Sequence, residues 1–225
     1  MADTKKIKVI VTGATGMVGE GVMHECLLHP LVESVVVINR KPGGVVHEKL
    51  KEIIHADFFD ISSIADQLKG YDACFFCAGV TSVGKSEEEY YKLTYTLTLN
   101  FAKVLVEANP DMIFEYVSGG STDSTEKGKV MWARVKGKTE NDLAKLPFKK
   151  VYNFRPGYMH PTSGLKNVNK YYKWITWLYP IVKAIAPNYV STLKDMGLAM
   201  INAALYGYDK QILEVKDINA LARKV

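Results

Sequence analysis

The chain has 225 residues, 48% hydrophobic and 24% charged, enough to bury one core and too apolar to be disordered as a whole. Its net charge of +5 is almost all lysine, since arginine stands only at Arg40, Arg134, Arg155 and Arg223. A nucleic-acid binder would carry an arginine-rich stripe, so no nucleic-acid partner is expected. Met1 to Lys6 run straight into an apolar stretch, with no signal-peptide core and no room for a transit peptide. Cys26, Cys74 and Cys77 form an odd set that argues for reduced thiols. No run approaches the roughly 18 apolar residues that span a bilayer. The expectation is a cytoplasmic protein without a transmembrane span.

Short β-branched runs alternate with longer amphipathic stretches, the pattern of βαβ units and a parallel sheet. The sequence predicts a strand at Lys8–Thr12, a helix over 17–28, then strands at Ser34–Asn39 and Glu52–Ala56. A helix over 61–69 leads to a strand at Ala73–Cys77, and a helix over 87–108 to a strand at Ile113–Val117. The helix over 130–145 stops before Pro147, ahead of a strand at Lys150–Arg155. Ser191-Thr192 caps a helix over 192–206, followed by a strand at Ile212–Val215 and a helix over 217–223. The whole reads as one α/β domain, 1–225, a Rossmann-type doubly wound parallel sheet of about seven strands with helices on both faces.

Segment 158–190 breaks this rhythm. It is aromatic and basic (Tyr171, Tyr172, Trp174, Trp177, Tyr179) and reads as a small helical cap at the C-terminal, substrate side. Three uses stay open: a wall for a small-molecule substrate, packing or contact with a protein partner, and peripheral contact with a membrane surface.

The sharpest motif is Val9-Ile-Val-Thr-Gly-Ala-Thr-Gly-Met-Val-Gly19, a strand running through three spaced glycines into a helix. Gly13 permits the sharp turn, Gly16 lets the backbone approach a pyrophosphate, and Gly19 lets the helix pack on the sheet. Thr15, Met17 and Val18 complete a loop and first turn whose N–H groups face anions. A dinucleotide cofactor is expected here. About 20 residues beyond the last glycine, where an NAD site places a carboxylate on the ribose, stand Asn39, Arg40 and Lys41. A guanidinium meets a 2′-phosphate well, so NADP(H) is favoured, with NAD(H) also open; the other reading is a solvated turn before Pro42-Gly43. Asp57 and Phe58, after the third strand, are candidates beside the adenine.

Thr-Gly-x-x-Gly-x-x-Gly resembles the short-chain dehydrogenase/reductase superfamily, above all its extended and atypical branches, the NAD-dependent epimerase/dehydratase-like proteins. Further landmarks are Cys77-Ala78-Gly79, Val117-Ser118-Gly119 and Arg155-Pro156-Gly157 at the ends of strands four, five and six. The resemblance implies cofactor contacts from Cys77, Ala78 and Gly79, and a tight turn beside the nicotinamide from Pro156 and Gly157. It also implies a Tyr-x-x-x-Lys pair on the helix after strand five, in which the lysine holds the ribose and lowers the phenol's pKa. Lys136 takes the lysine position, but Trp132 takes the tyrosine's. An indole N–H donates a hydrogen bond without useful acidity. Three readings follow: cofactor binding without catalysis, another acid (Tyr158 or His160, after strand six), or a reaction in which Trp132 only shapes the pocket. Ser118 and Ser121 compete for the family's hydrogen-bonding serine.

The leading expectation is therefore an NADP(H)-dependent oxidoreductase-like protein acting on a small or lipophilic carbonyl or alcohol. The alternative is a non-catalytic NADP(H)-binding redox sensor or scaffold. A nucleotide-sugar epimerase or dehydratase is weaker, since little chain beyond Pro161 remains to hold a nucleotide sugar. A homodimer is expected by analogy only. Cys74 and Cys77 have redox-pair spacing but fall in a core strand, where residues three apart face opposite sides. The five histidines are scattered, so no metal is expected.

Overall fold

The computed structural model describes residues 5–167 and 179–224. Seven strands form one parallel sheet: β1 (Ile7–Thr12), β2 (Val32–Asn39), β3 (Leu50–Ile54), β4 (Ala73–Phe76), β5 (Ile113–Val117), β6 (Lys150–Arg155) and β9 (Ile212–Glu214). Their spatial order is β3-β2-β1-β4-β5-β6-β9, so the winding reverses between β1 and β4. In such a sheet ligands settle outside the carboxyl ends of the strands at that reversal. The expected α/β doubly wound architecture is what the chain forms.

Buried runs such as Val35-Val36-Val37-Ile38 alternate between two cores, as strands covered on both faces must. On one face Val9, Val11, Val35, Val37 and Phe75 pack against α1 (Met17–Leu28) and α6 (Leu193–Tyr206), with α7 (Val215–Leu221) beside them. On the other, Ile10, Val36, Ile38 and Phe76 meet the 3₁₀ turn Ser62–Leu68 and α3 (Leu97–Ala108). Cys74 belongs to this second core and Cys77 packs toward the first, so the pair does face opposite ways. Helix α6 starts at a capping box: Thr192 Oγ1 accepts from Asp195 N at 2.8 Å and Asp195 Oδ2 accepts from Thr192 N at 3.1 Å.

Three expected elements change. The third strand lies two residues earlier than Glu52–Ala56, because Leu50 to Ile54 pair with Val35 to Asn39. It is an edge strand with only Ile53 buried, so its burial pattern gives little to set the boundary. The helix over 87–108 is interrupted: a π turn, Lys92–Thr96, separates α2 (Glu87–Tyr91) from α3. Segment 158–190 is not simply a helical cap. Strand β7 (Tyr158–His160) pairs in parallel with β8 (Val190–Thr192), and α5 (Tyr179–Ile185) lies between them. Gly157 permits that close approach, since a Cβ there would lie 2.4 Å from Tyr189 O. Tyr171, Tyr172, Trp174 and Trp177 lie outside the described residues.

Candidate functional site

The strand ends create the site. β1 stops at Thr12, whose Oγ1 accepts from Ala78 N across the reversal at 3.2 Å. Gly13 then turns with φ +71°, a conformation that costs other residues strain, and a Cβ there would sit 2.8 Å from Ala78 N. Gly16 N closes the loop on Gly13 O at 2.9 Å and Gly16 becomes the N-cap of α1. At Gly19 a Cβ would stand 2.2 Å from Gly13 O, so only a bare Cα lets the helix approach. The first turn of α1, Met17 to Gly19, therefore presents its unbonded N–H groups and positive end beside the loop.

A cleft of about 320 Å³ opens there. Gly13, Thr15, Gly16, Asn39, Arg40, Phe58, Cys77, Ala78 and Gly79 line it. Lys41 is exposed beyond Arg40, and Asp57 turns away to accept from Phe59 N at 2.8 Å. Val80, Leu93 and Leu97 also line the cleft, and sequence reasoning missed them. Leu93 lies in the π turn and Leu97 begins α3, and no composition cue announces that turn. The glycine cradle, the helix start and the flanking cleft fit a dinucleotide, whose pyrophosphate such a loop and helix start suit.

The opposite end of the site is built from β5, α4 (Met131–Leu143) and β6. Lys136 points inward and donates to Ser118 O at 2.9 Å, with its ammonium 5.4 Å from the Tyr116 ring centroid. Burial lowers its pKa to about 8, against the opposing pull of Glu140. Ser118 is buried, its hydroxyl 2.9 Å from that of Thr122. Ser121 is exposed, in a left-handed conformation at φ +67°. Gly120 N donates to Pro156 O at 2.8 Å, which ties the β5 loop to the Pro156-Gly157 turn. Trp132 lies over Gly119, its Cζ3 3.8 Å from where a Cβ there would be. Tyr158 and His160 sit on β7, and the His160 ring stacks on Tyr179 at 4.1 Å.

Arg155 is a further residue that the sequence did not single out as functional. Its guanidinium takes Glu140 in a bidentate pair, Ser124 Oγ at 2.6 Å and Glu214 Oε1 at 3.4 Å. Arg155 and Glu140 are both buried, so each neutralises a charge the other could not carry alone. Glu140 is one helical turn from Lys136, and the network thereby fixes α4 against the β6 end. The only sequence cue was an arginine, rare in this chain, just before Pro-Gly.

A parallel sheet reversed at β1/β4, with a glycine cradle at that point, defines a dinucleotide-binding Rossmann protein. The chain matches the model of the NAD dependent epimerase/dehydratase family over residues 9–148, well over half its length. It belongs to that family, and so to the NAD(P)-binding proteins of the short-chain dehydrogenase/epimerase type. Among curated relatives, "Protein FMP52, mitochondrial" of Meyerozyma guilliermondii is 26% identical over 157 residues, 68% of this chain. The match spans 65% of that relative's length, just under two thirds. The protein of the same name from Candida albicans is 24% identical over 218 residues, 92% of this chain and 91% of that one. In fold, the chain resembles a short chain dehydrogenase from Burkholderia cenocepacia solved in complex with NADP. That similarity has a TM-score of 0.65 at 15% identity, covering 96% of this chain and 92% of the other.

These relatives correct one expectation. The cytoplasmic location inferred from the sequence does not stand, because both fungal proteins carry the designation mitochondrial. Unpaired cysteines report a reducing milieu, which more than one compartment supplies, so they could not carry that assignment.

Proposed function

We propose that this protein is an NADP(H)-dependent oxidoreductase acting on a small or lipophilic carbonyl or alcohol, with NAD(H) accepted less well. The observation that carries the reading is the glycine cradle opening into a cleft walled by Arg40, whose guanidinium suits a 2′-phosphate. When bound, the nicotinamide supplies the hydride chemistry. The chain's own residues do the rest: the glycine loop and α1 start bind the pyrophosphate, and Lys136 orients the ribose by exchanging its bond to Ser118 O for a sugar hydroxyl. With Trp132 at the position of the usual phenol, the proton comes from Tyr158 or His160 on β7.

A second reading, a non-catalytic NADP(H) sensor, rests on one observation: half-buried Lys136 is bonded to Ser118 O, one helical turn from an indole that cannot act as an acid. The test is turnover. NADPH oxidation is followed against a panel of ketones, aldehydes and quinones in wild type, Tyr158→Phe and His160→Ala. Turnover lost in one variant, with NADPH affinity kept, identifies the acid. Turnover that survives both substitutions sinks the role of β7, and none with any substrate leaves the sensor reading.

A further inference from the structure

At the end of β2 the side chain that would meet the cofactor's adenosine ribose is an amide, not a carboxylate, yet a carboxylate is present. Glu52 stands on β3 opposite Val37, so it shares a sheet face with Val37 and Asn39, the face on which α1 and its glycine loop lie. Its Oε1 accepts from Asn39 Nδ2 at 2.7 Å and from Gly43 N at 2.8 Å. Among the described residues its second oxygen takes no hydrogen bond. Asn39 is only 3% exposed, and the bond from its Nδ2 to a carboxylate fixes which way the amide turns. The acid, although exposed, is thus held at one spot by two donors.

That spot adjoins the cofactor cleft. A second cavity, of about 350 Å³, has Glu52, Gly43 and Ala14 in its wall and shares Thr15 and Asn39 with the first, which holds Arg40. A pyrophosphate on the glycine loop places the adenosine ribose at this junction, between Arg40 and Glu52.

We propose that Glu52 reads the 2′ position of the ribose in opposition to Arg40, so that a carboxylate lent by β3 and a guanidinium after β2 together set the cofactor preference. A 2′-hydroxyl donates to the free oxygen of Glu52. A 2′-phosphate gains Arg40 but is repelled by Glu52, which the two N–H donors hold in place. The inference rests on the NAD(P)-binding reading and deepens it.

The experiment is a paired titration of NADPH and NADH into wild type, Glu52→Gln and Arg40→Ala, with melting temperatures recorded alongside. Glutamine keeps an Oε1 acceptor for Asn39 and Gly43, while its Nε2 replaces the free oxygen, so the charge and the acceptor for the 2′-hydroxyl are lost together. The expected result is an NADPH-to-NADH affinity ratio raised about tenfold in Glu52→Gln and lowered about tenfold in Arg40→Ala, each about 1.4 kcal/mol. An unchanged ratio in Glu52→Gln, or equal weakening of both cofactors, overturns the role of Glu52 while the NAD(P) reading stands. An unchanged ratio in Arg40→Ala overturns the balance. Wild type binding neither cofactor overturns the NAD(P) reading and this inference together.

Discussion

The two halves of the site differ in what makes them work. The adenosine half, from the glycine loop to Arg40 and Phe58, is made by backbone: a positive φ at Gly13, a missing Cβ at Gly19 and the open start of α1. The reaction half, at the ends of β5 and β6, is made by side chains: Lys136, Ser118, Trp132 and the Arg155–Glu140 pair. The first half keeps all three glycines of its motif, with Asn39 where an NAD site places a carboxylate. The second, set beside the Tyr-x-x-x-Lys pattern that the sequence resembles, has Lys136 at the lysine and Trp132 at the phenol position. Backbone cradles tolerate change in the residues around them, whereas proton transfer depends on one acidic atom in one place. A chain can therefore retain the cofactor site while its chemistry drifts.

The largest effect should come from breaking the cradle. Gly19→Ala puts a methyl 2.2 Å from Gly13 O, and NADPH affinity should fall about 100-fold or more, roughly 2.7 kcal/mol, in a fluorescence titration. Affinity within threefold of wild type would show that the loop does not hold the pyrophosphate. Next, Trp132→Tyr restores the missing acid one turn before Lys136. Carbonyl reduction should rise about 100-fold, within the usual range for a positioned general acid. No gain would mean that the pocket, not the acid, limits the reaction half.

Two buried charges sharpen the contrast through pH. Folded Lys136 releases its proton near pH 8, while in the unfolded chain it holds it to about 10.5. The unfolded state binds more protons across that window, so this group makes stability rise with pH between those values. Lys136→Met should flatten that rise in urea melts at pH 7.5 to 10. Its ribose contact should also weaken as wild-type Lys136 loses charge above about pH 8, a trend absent from the Met variant.

Glu115 runs the other way. It is fully buried on β5, with neither oxygen hydrogen-bonded among the described residues, and burial holds its pKa well above the usual carboxylate range. The folded state binds the extra proton, so stability falls as pH rises from about 4.5 toward the folded pKa. Glu115→Gln should remove that slope and raise stability at pH 8 relative to wild type. Equal pH slopes in the two proteins would show that Glu115 stays ionised when folded.

What the sequence disclosed follows the same division. The range of α1 and the ends of β5 and β6 could be read directly, because glycine spacing and continuous β-branched runs are local signals. The glycine loop was legible for the same reason, whereas Lys136 was placed only through the resemblance to the Tyr-x-x-x-Lys pattern. Leu93 and Leu97 were not, since a π turn changes the helical register without changing composition. Nor was the Arg155–Glu140 pair, which joins a strand to a helix, nor Glu52 at Asn39, which joins two strands. Contacts between elements exist only once the sheet order is known. The 158–190 segment, expected as a small helical cap, also carries the three-residue strands β7 and β8, whose pairing joins positions about 30 residues apart and leaves no local signal.

The most direct test of the central claim is energy transfer from tryptophan to bound nicotinamide as NADPH is titrated into the purified wild-type protein. The account predicts saturable binding with a micromolar Kd, abolished by Gly19→Ala. No saturable binding by wild type would contradict it, and would mean that the cradle holds its shape without a cofactor to serve.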